Sequence, residues 1–196
     1  MTSSPIPTES HPLRPFLPPG ARLLMLGSFP PPRARWSMDF FYPNWLNDMW
    51  RLMGLIFYGD RDHFADTARK RFRHDAVEAF ARERGIALYD TASEVRRLAG
   101  NASDKFLEVV RPTDLGQLLD RLPACRAVVT TGQKATDTLC LGYGATAPKV
   151  GGSTELSVGE RRLRFYRMPS SSRAYPMALE RKAEAYRRMF AELDML

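Results

Sequence analysis

An α/β/α sandwich with a short, mainly parallel sheet of four strands is the architecture expected of these 196 residues. Two observations lead to it. Short apolar runs closed by glycine or a polar residue recur along the chain: Leu23-Leu24-Met25-Leu26 before Gly27, Ile86-Ala87-Leu88-Tyr89 before Asp90, and Ala127-Val128-Val129-Thr130-Thr131 before Gly132. Runs of that kind read as strands buried on both faces, which is the environment of a parallel sheet. Stretches with helical spacing alternate with them, as crossover connections require.

Residues 1–20 are rich in Pro, Ser and Thr and end in Pro18-Pro19-Gly20, so a flexible lead-in is expected, with one domain over residues 21–196. After the first strand comes an unusual loop. Gly27-Ser28-Phe29-Pro30-Pro31-Pro32 is followed by Arg33, Arg35, Phe40, Phe41 and Tyr42-Pro43-Asn44-Trp45-Leu46-Asn47. Three prolines hold such a loop rigid without secondary structure of its own, because each fixes φ and removes a donor. Asn44–Met53 has helical spacing, with Leu46, Met49, Trp50 and Met53 on one face and Gly54 as a stop.

Residues 60–84 read as mostly helical, with Phe72, Ala76 and Phe80 (or Val77) as the buried stripe and Arg69, Lys70, Arg71 and Arg73 on a solvated or phosphate-contacting face. Residues 91–112 read as irregular. Thr113 is an expected N-cap before Leu115, Leu118, Leu119 and Leu122. The Gly132-Gln133-Lys134 junction of strand and helix leaves backbone N–H groups free beside a lysine, a ready anion site. Residues 142–160 read as loop or hairpin. Arg162–Met168 is the fourth strand, Met168–Pro176 a Pro/Ser loop, and Leu179, Ala183, Tyr186 and Phe190 the stripe of a final helix.

Composition narrows the function. A formal charge of +7 favours a polyanionic partner. Two cysteines without CxxC spacing suit reduced thiols in a cytoplasmic protein, and three scattered histidines form no metal constellation. No stretch approaches the roughly 20 apolar residues of a membrane span, and Met1–Gly20 lacks the apolar core of a signal peptide. In a parallel sheet the loops after all four strands share one edge. They carry small hydroxyls, aromatic rings, amides and a few cations, but no Ser-His-Asp set, no carboxylate pair and no Gly-rich nucleotide pattern. Metal-free hydrolysis through a cationic transition state, with a positioned water, fits what remains.

Leu26-Gly27-Ser28-Phe29-Pro30, then Phe40-Phe41-Tyr42-Pro43 with Asn47 and Trp50-Arg51-Leu52-Met53-Gly54, resemble the first motif region of the uracil-DNA glycosylase superfamily. The hypoxanthine-DNA glycosylase-like branch is the most similar. Thr131-Gly132-Gln133-Lys134-Ala135 and the Met168–Tyr175 loop match later motifs in order, so the resemblance spans residues 22–190. It implies a monomeric DNA-repair enzyme, free of metal and cofactor, that flips a deaminated base (uracil or hypoxanthine) from DNA and hydrolyses its N-glycosidic bond. By position, Asn47 would hold the attacking water. Asn44 competes for that place, because Tyr42–Asn47 is longer than the branch's His-Pro-Arg-Asn. Phe41 or Phe40 would stack on the base, and Ser28 with nearby N–H groups would meet the base or the leaving-group charge. Ser170, Ser171 and Ser172 would grip phosphates, and Arg173 or Tyr175 would fill the vacated stack.

Plainer roles stand beside these. Asn47 could cap a helix, Phe40 and Phe41 could be core, and the serines could cap the last helix. Trp45 and Trp50 read as packing, and Asp90 as either a reader of a base edge or a loop hydrogen-bonder. A catalytically silent DNA-binding module and a small-molecule hydrolase are the other functional classes open to such a chain.

Overall fold

Strand β2 (Leu23–Gly27) lies near the middle of a five-stranded sheet and is buried along its whole length. The computed structural model describes residues 5–99 and 104–196. In chain order the elements are β1 (Glu9–Ser10), β2, α1 (Met49–Tyr58), β3 (Ala65–Asp66), β4 (Arg71–Phe72), α2 (His74–Glu83), β5 (Ile86–Asp90), β6 (Ala92–Arg97) and β7 (Leu107–Pro112). They continue with α3 (Leu115–Asp120), β8 (Ala127–Thr131), α4 (Gln133–Tyr143), β9 (Gly152–Val158), β10 (Arg161–Met168) and α5 (Leu179–Glu192).

The central sheet has the order β5-β2-β8-β10-β9. β5, β2, β8 and β10 are mutually parallel, and β9 adds an antiparallel edge through its hairpin with β10. The α/β sandwich is therefore as expected, but with five central strands in place of four. The fifth comes from the Gly-rich stretch. There Leu156 and Val158 turn inward while Glu155 and Ser157 face solvent, which is the period of a strand with one wet face. The parallel register sets Gly27 beside Asp90 and Met168 beside Thr131, so the carboxyl ends of four strands finish at one edge.

Several local expectations change. The stretch expected to be irregular holds β6 and β7, which with β1 make a separate three-stranded antiparallel sheet. Two of its cross-strand pairs are charges, Arg96 with Glu108 and Arg111 with Glu94, while Val95 faces Val109, and the ladder is broken by a register shift near Glu94. Residues 60–72 form turns and the small β3–β4 ladder, leaving α2 shorter than expected, with Phe72, Val77 and Phe80 buried. Helix α1 starts at Met49, not Asn44, and runs through Gly54 to Gly59, whose φ of 68° supplies the left-handed stop. Gly54 is needed for close packing, since a Cβ there would lie 2.4 Å from the Asp60 carbonyl oxygen. Asp114, not Thr113, caps α3 by accepting from Gln117 N–H.

The lead-in expected to be flexible is anchored from Glu9 onward. β1 pairs with β6, and Phe16 exchanges two backbone hydrogen bonds with Leu88, at 3.0 and 2.9 Å. Aromatic rings at Phe16 and His11 bury against Phe40 and Tyr89, which outweighs the polar composition of the segment. Residues 1–4 of that lead-in, and residues 100–103 of the stretch expected to be irregular, lie outside the described residues.

Candidate active site

The loops leaving β2, β5, β8 and β10 enclose a cleft of about 950 Å³. Its lining includes Ser28, Phe41, Asn44, Asn47 and Asp90, together with Lys134 and the run Ser170–Tyr175. Every site residue expected from the sequence borders this one cavity except Phe40.

Phe40 is core. Its ring is buried against Phe16, Phe41, Trp50 and His74, and it does not reach the cleft. Phe41 borders the cleft but is itself buried, packed on Phe40, His11 and Tyr89, and its carbonyl accepts from Trp50 Nε1 at 2.9 Å. Trp50 is thus packing and support, as is Trp45, which stacks on the Arg51 guanidinium.

Asn47 sits just before α1. Its amide oxygen accepts from Met49 N–H at 2.9 Å, so it takes part in the helix start as well as lining the cleft. One lone pair of that oxygen and both amide protons remain for a ligand. Its backbone pairs with Ser172 in an isolated bridge, and Arg51 donates to the Trp45 and Asn47 carbonyls. Asn44 makes its own local turn by accepting from Leu46 N–H, which leaves it farther along the loop than Asn47 from the serine run.

The serine loop is held from three sides. Ser171 is buried and accepts from Asp48 N–H at its carbonyl, 2.8 Å away. Tyr186 donates to the Pro169 carbonyl, and Lys182 Nζ donates to the Ser172 carbonyl at 2.8 Å. Ser170 and Ser172 each accept from a backbone N–H two residues on, so the run forms consecutive small turns rather than the cap of α5. Arg173 reaches back to Asp48, and the Tyr175 ring lies over the Lys182 ammonium at 5.9 Å. At the start of α4, Gly132 with φ 133° packs on Ser170, and Lys134 stands at the cleft wall.

Sequence reasoning placed no histidine and no second carboxylate here, and both are present. His11, from the anchored lead-in, meets Asp90 behind the cleft. Asp104 lines the cleft and accepts from the Ser28 hydroxyl at 2.8 Å. Burial of its carboxyl group among the loops raises the Asp104 pKa against the Ser28 hydrogen bond, and nearby Asp90 adds to the rise. Tyr42 also lines the cleft, with its hydroxyl 2.8 Å from that of Thr131. Burial, then Asp90, pushes the phenol far above its usual range, so it stays neutral. Its backbone adopts φ 52°, a conformation costing a non-glycine residue roughly 1–3 kcal/mol. Lys182 carried a signal that could have been read: a lysine on the apolar stripe of the last helix needs a buried partner, and Asp48 is that partner.

No family model matches the sequence, and no curated protein matches it. Among solved structures, the chain is similar to an NMR structure of a candidate uracil-DNA glycosylase from Methanosarcina acetivorans. The TM-score is 0.58 at 21% identity, over 92% of this chain and 98% of that one. The two chains share a fold.

Proposed function

We propose that this chain is a metal-independent DNA glycosylase that takes a deaminated base, uracil or hypoxanthine, into the cleft and hydrolyses its N-glycosidic bond. One observation carries the reading: Asn47 and Phe41 from the loop after β2, Asp90 at the end of β5 and the serine loop after β10 line a single cleft at the carboxyl edge of the sheet. In this reading Phe41 stacks on the flipped base, worth about 1–3 kcal/mol. Asn47 orients water through its remaining lone pair. An amide is too weak a base to ionise water, but suffices where the sugar already has oxocarbenium character. Ser28 and the backbone N–H groups near it meet the charge developing on the leaving base. The Ser170–Ser172 turns, Lys134 and Arg173 take the flanking phosphates, and Tyr175 borders the vacated stack.

The test is release of free base from labelled oligonucleotides carrying uracil, hypoxanthine and other lesions. Asn47→Ala should lower the single-turnover rate by roughly 100- to 1,000-fold. No release from any substrate would defeat the enzymatic reading. A second reading, a silent DNA-binding module, is favoured by the Met49 N–H contact, which occupies the Asn47 oxygen in helix capping. It would give salt-dependent DNA affinity that Asn47→Ala leaves unchanged.

A further inference from the structure

His11 Nε2 lies 2.9 Å from Asp90 Oδ2, and the two side chains are 2% and 9% exposed. The imidazole is boxed by Phe29, Phe41 and Tyr89, with ring centroids 4.5–6.2 Å away. Its Nδ1 is 3.1 Å from Leu13 N–H. The Leu13 carbonyl lies 2.9 Å from the same nitrogen, so Leu13 offers Nδ1 both a donor and an acceptor; on the other side the Asp90 carboxylate accepts, which puts a proton on Nε2, facing Asp90. One carboxylate oxygen is therefore committed. The other, Oδ1, lies against Gly27, where a Cβ would approach it to 2.5 Å, and Gly27 and Asp90 both line the cleft. Among the described residues no side chain or N–H group bonds Oδ1.

We propose that His11 is a positioning residue which holds Asp90 so that a single acceptor oxygen faces the bound base, selecting bases that carry a ring N–H at that point. Uracil N3 and hypoxanthine N1 carry that proton; in cytosine and adenine the same nitrogens are bare acceptors. A fixed carboxylate oxygen gains a charge-assisted hydrogen bond from the first pair and meets a lone pair in the second. Were Asp90 free to turn, it could offer both oxygens, accept exocyclic amino groups as well, and lose this discrimination. The anchored lead-in thus belongs to the specificity of the site. This deepens the glycosylase reading and rests on it.

The experiment compares wild type, His11→Ala, His11→Gln and Asp90→Asn on duplexes carrying uracil, hypoxanthine, cytosine or adenine, under single-turnover conditions. Nitrogen-15 NMR of the histidine ring and titration with the four free bases accompany it. Nε2 of the ring should carry a proton. His11→Ala should lower the preference for the deaminated bases at least 10-fold while affinity for abasic DNA is kept, and His11→Gln, which can still donate, should restore part of it. In Asp90→Asn the amide oxygen turns to His11 and the NH2 faces the cleft, so the preference should fall further or invert. An Nε2 without a proton, an unchanged preference in His11→Ala, or a wild type that favours cytosine would each overturn the proposal. If His11→Ala does not fold, His11→Gln and the Nε2 proton decide. A wild type that releases no base defeats the glycosylase reading instead. The inference is then judged by the free bases: uracil and hypoxanthine binding no tighter than cytosine and adenine overturns it.

Discussion

Lys182 Nζ lies 3.2 Å from Asp48 Oδ2, with the ammonium sealed from solvent and the carboxylate nearly so. The pair joins α5 to the residue that follows Asn47, and the same ammonium holds the Ser172 carbonyl. Asn47 and the serine loop, far apart in sequence, are thereby fixed against each other.

Lys182→Met should therefore be costly. It leaves the Asp48 carboxylate buried with Arg173, at 3.4 Å, as its remaining ion-pair partner among the described residues. Breaking a buried pair from one side costs about 3–5 kcal/mol, whereas replacing both partners with neutral groups costs much less. Denaturant titration should show Lys182→Met as the weakest protein, with Asp48→Asn/Lys182→Met recovering most of the loss. A double variant no more stable than the single one would mean that the ammonium's contact with Ser172 matters more than its ion pair.

Adjacent phenylalanines should separate core from site. Phe40→Ala empties a space among four rings and should cost about 3–5 kcal/mol of stability, while the fraction that folds cleaves normally. Phe41→Leu keeps apolar volume but removes the π-face that borders the cleft. It should weaken base-containing DNA by about 1–3 kcal/mol and leave abasic DNA unaffected. Equal effects of both substitutions on binding would refute the separation.

The sequence carried the sheet because its parallel strands are buried on both faces, as Leu23–Leu26 and Ala127–Val129 show, and such runs are read without knowing their partners. The convergence of loops followed from strand direction. What escaped was everything set by distant contacts. β6 and β7 hide because two of their cross-strand pairs join Arg to Glu, and such charges resemble a solvated loop until both strands are in view. Asp104 hid in the same stretch. His11 was invisible as a site residue because it reaches Asp90 only once β1 has paired with β6. Phe40 and Phe41 could not be told apart, since both are buried and which of them also borders the cleft depends on the loop's path, including the left-handed Tyr42 that follows them.

Gly27→Ala is a compact test of how tightly the back of the cleft is built. The new Cβ would come within 2.5 Å of Asp90 Oδ1, closer than van der Waals contact allows, and the strand around it is fully buried. Either the carboxylate leaves His11 or the strand shifts, at about 1–3 kcal/mol of stability. Base release should fall far more than the modest change in melting temperature suggests, because the displaced group lies in the cleft. Normal release by a folded Gly27→Ala protein would show that the position of Asp90 is not critical.

Asp104 should make stability depend on pH in a direction opposite to that of a salt-bridged carboxylate. Burial of its carboxyl group raises its pKa, and Asp90 adds to this, against the Ser28 hydrogen bond, Lys134 and Arg97. A carboxyl whose pKa rises on folding binds its proton more tightly in the folded chain. Its contribution is therefore greatest below the pKa of the unfolded chain and is lost as pH rises through the folded value. Asp104→Asn keeps an acceptor for the Ser28 hydroxyl and removes the charge. The variant should melt above wild type near neutral pH, by under about 1 kcal/mol because the outer face of the residue is open to solvent. That advantage should vanish as pH falls through the carboxylate range. A variant less stable at neutral pH, with the gap closing in acid, would instead mean that Lys134 and Arg97 stabilise the ionised form, and Asp104 would then enter the reaction as a fixed negative charge rather than as a group able to hold a proton near the leaving base.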